Sequence, residues 1–321
     1  MENHKNISQN IAQHLEKAQN ILIVSHRKPD GDTLGSNFAF LEFLLSKNKK
    51  VISFCLDILP SHLQFLPHSH LLTNDQSVFG QKYDTVVTID CGNLDYAGID
   101  HLLPQINNNF ILINIDHHAS NPHYGHINLV LERASSTAEI IYRLFQDWQI
   151  PLTPTLATNL TCGLVTDTDC FKNPATNYRC VAAASQLIGQ GANIYHIVNS
   201  TINNINVRSL TLWGRALERL YKINKYNLVY TYITQQDLIE CQASDEDGEG
   251  IANFLHILKE GEVIMVLRET EEGIVKGSLR TTGNTDLTKL AKTFGGGGHK
   301  KASGFSLPGR LKYDNNKLKI V

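Results

Sequence analysis

The chain has 321 residues, 42% of them hydrophobic and 19% charged. That balance excludes wholesale disorder, and the length allows two separate cores. The net charge of −2 hides an asymmetry: residues 276–321 carry ten Lys/Arg and two Asp, a net of +8, which leaves −10 for the rest. A basic end beside an acidic body suits an anionic ligand at one and a cation at the other, with a solvated basic tail as the plainer alternative. The longest apolar runs are of strand length, so no membrane span is expected. The opening Met-Glu-Asn-His-Lys is polar and lacks the apolar core of a signal peptide, so a cytoplasmic location is expected. The six cysteines form no CxxC pair and are expected to be reduced thiols, which argues against a zinc finger or a disulfide framework.

In chain order, apolar runs predict strands at 21–25, 51–55, 85–90 and 110–115, with helical apolar spacing at 34–46. Such alternation implies βαβ crossovers and a parallel sheet. Residues 119–128 read as a loop, and His123 and His126 within it receive no role. Helices are expected at 134–148, 153–166, 176–190 and 193–221, with 206–221 as a connecting helix. Beyond lie a strand at 227–233, an acidic cap at 244–249 leading a helix to about Leu258, strands at 262–268 and 274–280, a helix at 286–293 and a strand near 303–307. The expected class is α/β: a parallel-sheet domain over 1–190, a helical linker over 191–225 and a smaller α/β domain with a mixed sheet over 226–321.

Asp116-His117-His118 is the most informative stretch, because three ionisable groups end an apolar run that reads as a buried strand. The pattern recurs. Residues 21–24 lead into Ser25-His26-Arg27-Lys28-Pro29-Asp30-Gly31-Asp32, and residues 85–89 lead into Asp90. Parallel strands bring their carboxyl ends to one edge, where open α/β sheets place ligands. Imidazoles and carboxylates together suit Mn²⁺, Mg²⁺ or Fe²⁺. Two readings stand for 30–32: a pair of ligands, or an ordinary turn with a helix cap. Asp90 is either a cap or a carboxylate able to bridge two cations. Neighbouring residues on extended chain point opposite ways, so one of His117 and His118 can bind a cation while the other faces a substrate. Asp116 can hold a ring N–H. Asp167 ends an apolar helix, where a carboxylate is unfavourable without a compensating charge. Far along, Gly295-Gly296-Gly297-Gly298-His299-Lys300-Lys301 offers close backbone approach and donors for an anion, and Arg280 ends a strand as a phosphate fork.

These motifs resemble the DHH phosphoesterase family, over nearly the whole chain. Residues 25–36 resemble its first motif, Ile89-Asp90 its second, Asp116-His117-His118 its third and Gly163 to Thr168 its fourth. Gly297-Gly298-His299 with Ala302-Ser303-Gly304 resembles the DHH-associated C-terminal signature, and Ser135-Ser136-Thr137-Ala138-Glu139 and Gly277-Ser278-Leu279-Arg280 fit the shorter members. The nearest likeness is to the bifunctional oligoribonuclease and pAp phosphatase group.

The resemblance implies two divalent ions, Mn²⁺ in first place, with Mg²⁺ or Fe²⁺ as alternatives. His26 and Asp30 would hold one ion, Asp32, His117 and Asp167 the other, with Asp90 bridging. His118 would contact the scissile phosphate or assist the leaving group, supported by Asp116. Arg280, Gly296, Gly297, Gly298, His299 and Ser303 would bind the far end of short single-stranded RNA, a dinucleotide or pAp, in a cleft that measures substrate length. A homodimer is among the expectations, and a membrane association is not. Relatives often carry Gly where this chain has Asp169, and Arg where it has Lys172. The added carboxylate would repel phosphate or alter the metal, and Lys gives up bidentate phosphate binding. Competing readings are a cyclic di-AMP phosphodiesterase and a non-catalytic nucleotide-binding regulator. A family II pyrophosphatase shares the metal motifs but not the glycine-rich signature.

Overall fold

The computed structural model describes residues 2–106, 109–298, 300–314 and 317–321, without the side chains of Glu2, Asn3 and Lys317. It divides into two compact units, 1–204 and 205–321.

The first unit runs α1 (Glu2–Lys17), β1 (Asn20–Ser25), α2 (Gly31–Ser46), β2 (Lys50–Cys55), β3 (Leu72–Thr73), β4 (Thr85–Ile89), α3 (Leu94–Ala97), β5 (Ile111–Asp116), β6 (Ile127–Val130), α4 (Thr137–Asp147), α5 (Pro154–Asp167), α6 (Tyr178–Gly189) and α7 (Ile194–Ser200). Its six strands are all parallel, in the order β3-β2-β1-β4-β5-β6. Helices and loops cover both faces, which is why the central strands read as unbroken apolar runs. Ile21, Ile23, Val87, Ile89, Ile113 and Ile115 pack into one core with α2, α4 and α5. Leu22, Val24, Phe54, Val86 and Leu112 pack into a second core on the other face. Alternation along each strand therefore divides one sheet between two cores.

Helices α2 and α5 cross with their backbones in contact. A Cβ on Gly35 would lie 2.3 Å from the Asn159 carbonyl oxygen, and one on Gly163 would lie 2.5 Å from Ala138 Cβ and 2.6 Å from Asp32 Oδ1. Glycine at these positions lets α5 lie against the first turn of α2, where Asp32 stands.

The second unit runs α8 (Val207–Glu218), β7 (Tyr221–Ile223), β8 (Leu228–Ile233), α9 (Gln235–Glu240), α10 (Ile251–Phe254), β9 (Val263–Glu269), β10 (Ile274–Thr281), α11 (Leu287–Lys292), β11 (Gly297–Gly298), β12 (Ala302–Pro308) and a separate hairpin, β13 (Leu311–Asp314) and β14 (Lys317–Ile320). Its main sheet is mixed, in the order β11-β12-β10-β9-β8-β7, with only β8–β9 parallel. One face carries Ile264 and Val266 into a core with α8 and α10, and the other carries Leu267, Val275, Leu279 and Phe305 toward α11.

Four expectations need correction. Part of the expected loop at 119–128 is strand: β6 starts at Ile127 and extends the parallel sheet, and His126 Nδ1 accepts the Leu112 N–H at 2.9 Å. The expected helix over 193–221 is two helices, because Asn206 caps a new start at Val207. The helix expected from the acidic cap to Leu258 breaks into short turns around Gly250, whose φ is +82°. The alternative of a solvated basic tail gives way to folded structure: most of residues 276–321 form β10, α11, β11, β12 and the hairpin, whose Leu311 and Leu318 pack on the sheet. All six cysteines are free thiols, five of them buried. Among the described residues, no helix is long and apolar enough to cross a membrane.

Candidate metal centre

β1 and β4 are neighbours in the middle of the sheet, and the chain leaves them in opposite directions, toward β2 and β3 on one side and β5 and β6 on the other. Such a reversal opens a crevice at the carboxyl ends of the two strands. His26 follows β1, Asp90 follows β4, and Asp116 is the last residue of β5.

Each side chain is held by something definite. His26 is buried, with Nδ1 2.6 Å from the Arg27 carbonyl and Nε2 3.5 Å from Asp90 Oδ2. Asp30 caps α2: its Oδ1 accepts the N–H groups of Asp32 (2.9 Å) and Thr33 (3.0 Å), which leaves Oδ2 outside the cap. The cap and ligand readings of Asp30 are therefore compatible. Asp32, fully buried, accepts the N–H of Thr137 (2.7 Å) and of Ala138 (2.9 Å), at the electropositive N-terminus of α4. Asp90 has φ +61°, a left-handed conformation that Asp tolerates better than most residues. Its Oδ2 accepts from Thr33 Oγ1 at 2.7 Å and its Oδ1 from Thr137 Oγ1 at 2.9 Å. His117 Nε2 lies 3.7 Å from both Asp90 Oδ1 and Asp167 Oδ2. His118 turns its Nδ1 to Asp116 Oδ1 at 2.7 Å, while the other oxygen of buried Asp116 accepts from Asn121 Nδ2 at 2.6 Å.

Asn121 and Tyr96, and the supporting roles of Thr33 and Thr137, escape the sequence reading. Tyr96 lays its ring 4.9 Å from that of His26. A hydroxyl three residues after the Asp30 cap is the only signal the sequence offers for Thr33.

The electrostatics are those of crowded buried carboxylates. Burial, then the charges of Asp90 and Asp167, pushes the Asp32 carboxyl well above its ordinary range. Burial, then Asp30 and Asp90, does the same to Asp167. Burial opposes ionisation of Asp90 as well, but His26, His118 and His117 outweigh it and hold that carboxyl well below the usual range. Burial disfavours charge on both His26 and His118. Asp90 nevertheless raises His26 to about 9, and Asp116 with Asp90 raises His118 to about 10.

Three overlapping ligand groups result, each with its ligand atoms within 4.8 Å of one another: His26, Asp30 and Asp90; Asp32, His117 and Asp167; Asp90, His117 and His118. Four carboxylates and two or three imidazoles suit divalent cations of the Mn²⁺ or Mg²⁺ type. Such ions would offset the burial and repulsion that push Asp32 and Asp167 toward their neutral forms. Cys91 next door points its thiol at the Ile89 carbonyl instead.

The description "DHH family, N-terminal domain" matches residues 20–164, and the DHHA1 domain matches 225–319. The chain belongs to the DHH family. The bifunctional oligoribonuclease and PAP phosphatase NrnA of Thermus thermophilus is 27% identical over 90% of this chain and 84% of its own. A probable protein of the same description from Streptococcus mutans is 27% identical over 88% of each chain. The crystal structure of an exopolyphosphatase-related protein from Bacteroides fragilis superposes with a TM-score of 0.86 at 26% identity, covering 94% of this chain and 91% of that one.

In the first unit, Asp169 and Lys172 meet each other. Lys172 Nζ lies 3.3 Å from Asp169 Oδ2, an exposed pair worth about 1 kcal/mol or less. Asp169, Cys170 and Phe171 are all left-handed, with φ of +49°, +55° and +61°. In the DHHA1 domain the expected substrate residues do not all converge. Arg280 donates through Nε to Asn253 Oδ1 at 2.8 Å and lines a cavity of about 260 Å³ with Arg268, Ser278 and Gly250. Burial pulls its pKa below the ordinary value. Arg280 pairs with Ala302, whereas Ser303 pairs with Leu279, so Ser303 stands on the opposite face of the sheet. Gly296 is required by packing, since a Cβ there would lie 2.1 Å from the Gly304 carbonyl, while Gly297 has open space around it. Gly298 pairs with Ser303 in β11, and His299 lies outside the described residues.

Proposed function

We propose that the chain is a metal-dependent phosphoesterase that cleaves very short RNA, dinucleotides such as pApA included, to 5′-mononucleotides and converts pAp to AMP. The observation that carries this reading is the sharing of Asp90 between the His26–Asp30 group and the His117–His118 group, at the crevice of the parallel sheet. Support comes from the names of the Thermus and Streptococcus relatives, which the chain matches over most of its length.

His26, Asp30 and Asp90 would hold one divalent ion, and Asp32, His117 and Asp167 a second, with Asp90 common to both. The ions supply Lewis acidity, lowering the pKa of a water and offsetting charge on phosphoryl oxygens. The remaining work belongs to the chain. The Asp116 carboxylate fixes the His118 ring through Nδ1, and that ring would face the phosphoester. The Asp116 carboxylate favours the protonated His118 ring, which can deliver a proton to the leaving oxygen. Asn121 holds the far oxygen of Asp116, so the carboxylate cannot swing away. The Arg280 cavity gives the second unit a half-buried cation for a phosphate or sugar edge.

The test is a rate profile with Mn²⁺ across pAp, pApA, cyclic di-AMP and single-stranded RNA of increasing length. Fastest turnover on pApA and pAp is expected. Failure to hydrolyse any phosphoester across several divalent metals would leave only the regulator reading. Preference for cyclic di-AMP would replace the substrate assignment while keeping the chemistry.

A further inference from the structure

The two oxygens of Asp90 each meet one threonine hydroxyl, and each faces a different ligand group. Oδ2 accepts from Thr33 Oγ1 at 2.7 Å and lies 3.5 Å from His26 Nε2. Oδ1 accepts from Thr137 Oγ1 at 2.9 Å and lies 3.7 Å from His117 Nε2. Thr33, Asp90 and Thr137 are all buried. A carboxylate's last torsion is broad and two-fold, so nothing intrinsic to Asp90 directs one oxygen to each side. The two hydroxyls do so.

Each threonine also touches another ligand. Thr33 Oγ1 lies 2.6 Å from His26 Nε2 and 3.1 Å from Asp30 Oδ1. Thr137 donates its backbone N–H to Asp32 Oδ2 at 2.7 Å. Thr33 is thus the hub of the His26 side, and Thr137 ties the shared carboxylate to Asp32 on the His117 side.

We propose that Thr33 and Thr137 are positioning residues that divide the Asp90 carboxylate between two cation positions. The inference rests on the reading of this crevice as a two-cation centre. The plainer role, two hydroxyls satisfying a buried carboxylate, predicts lost stability with unaltered cation binding.

The experiment measures Mn²⁺ binding to the chelator-stripped full chain by calorimetry, alongside circular dichroism and thermal melting without metal. The unsubstituted chain is expected to bind two Mn²⁺. Thr137→Val and Thr33→Val should each weaken one of the two binding events by roughly 10- to 100-fold, the usual effect of losing a group that orients a metal ligand. Thr137→Ser and Thr33→Ser, which keep the hydroxyl, should bind close to normally. If a valine variant loses its native spectrum, alanine and serine at that position carry the same comparison. Valine variants that bind like the unsubstituted chain, serine variants as weak as valine ones, or a single Mn²⁺ per unsubstituted chain would each overturn the proposal. A chain that binds two Mn²⁺ yet hydrolyses no phosphoester sinks the functional reading and leaves this one standing.

Discussion

The crevice of the first unit and the Arg280 face of the second hold their charged groups in opposite ways. In the crevice, Asp32, Asp90 and Asp116 are buried, and each accepts hydrogen bonds on both oxygens from named backbone or side-chain donors. On the Arg280 face, two guanidiniums, those of Arg268 and Arg280, line an open cavity, and the neighbouring candidates split between two sides of a sheet. A buried carboxylate tolerates few surroundings, so its chemistry is strongly constrained. A half-exposed cation tolerates many.

The largest effect expected on either side comes from Asp90→Ala. It should abolish binding of both cations and lower turnover by at least the roughly 10²- to 10³-fold typical of losing one preorganised charge-stabilising group. Metal analysis with circular dichroism checks it, and full activity in that variant would break the comparison at its centre. Next, Arg280→Ala should raise KM about 10- to 100-fold, the worth of a charged hydrogen bond, with kcat nearly kept. A matching loss in kcat would place Arg280 at the reacting bond. Gly163→Ala should cost about 1–3 kcal/mol by overpacking, and its Cβ should disturb Asp32, 2.6 Å away. Thermal melting with and without Mn²⁺ separates the two contributions.

A pH titration of the metal-free protein sharpens the contrast further. His26 and His118 hold protons more tightly when folded, at about 9 and about 10 against 6.5. That stabilisation is complete below pH 6.5 and disappears as pH climbs through the folded values. Asp32 and Asp167, also raised, act in the same direction, while Asp90 contributes the opposite slope in acid. The melting temperature without metal should therefore fall by several degrees between pH 6.5 and 9, and the gain on adding Mn²⁺ should grow. A rising melting temperature over that window would contradict the crowding described for the crevice. The smallest effect is expected from Ser303→Ala, which should change KM less than about twofold, since Ser303 shares the face of Leu279 and not that of Arg280.

The same contrast explains what the amino-acid sequence disclosed. Strand ends that carry Asp or His after an apolar run have few other reasons to exist, so His26, Asp90 and Asp116-His117-His118 were legible along with β1, β4 and β5. The supporting hydroxyls were not, because Thr33 and Thr137 owe their roles to partners 57 and 47 residues away. β6 was hidden by its brevity after Pro122 and Gly125. Reading 244–249 as the cap of a helix running to Leu258 ignored Gly248 and Gly250. Gly296 looked like part of a ligand cradle because close packing of backbones and close approach of a ligand select the same residue.

The six proposed ligands are drawn from β1, α2, β4, β5 and α5, and the last, Asp167, arrives well after the sheet's final strand. A nascent chain paused on the ribosome before α5 has five of them and lacks the helix whose Gly163 seats Asp32. It cannot yet offer the His117 side a complete set, however much cation the cell provides. Capture of the second cation would thus mark the end of a long-range assembly and reward only chains that have finished it. Starving cells of the metal should expose freshly made copies to proteases more than copies already loaded.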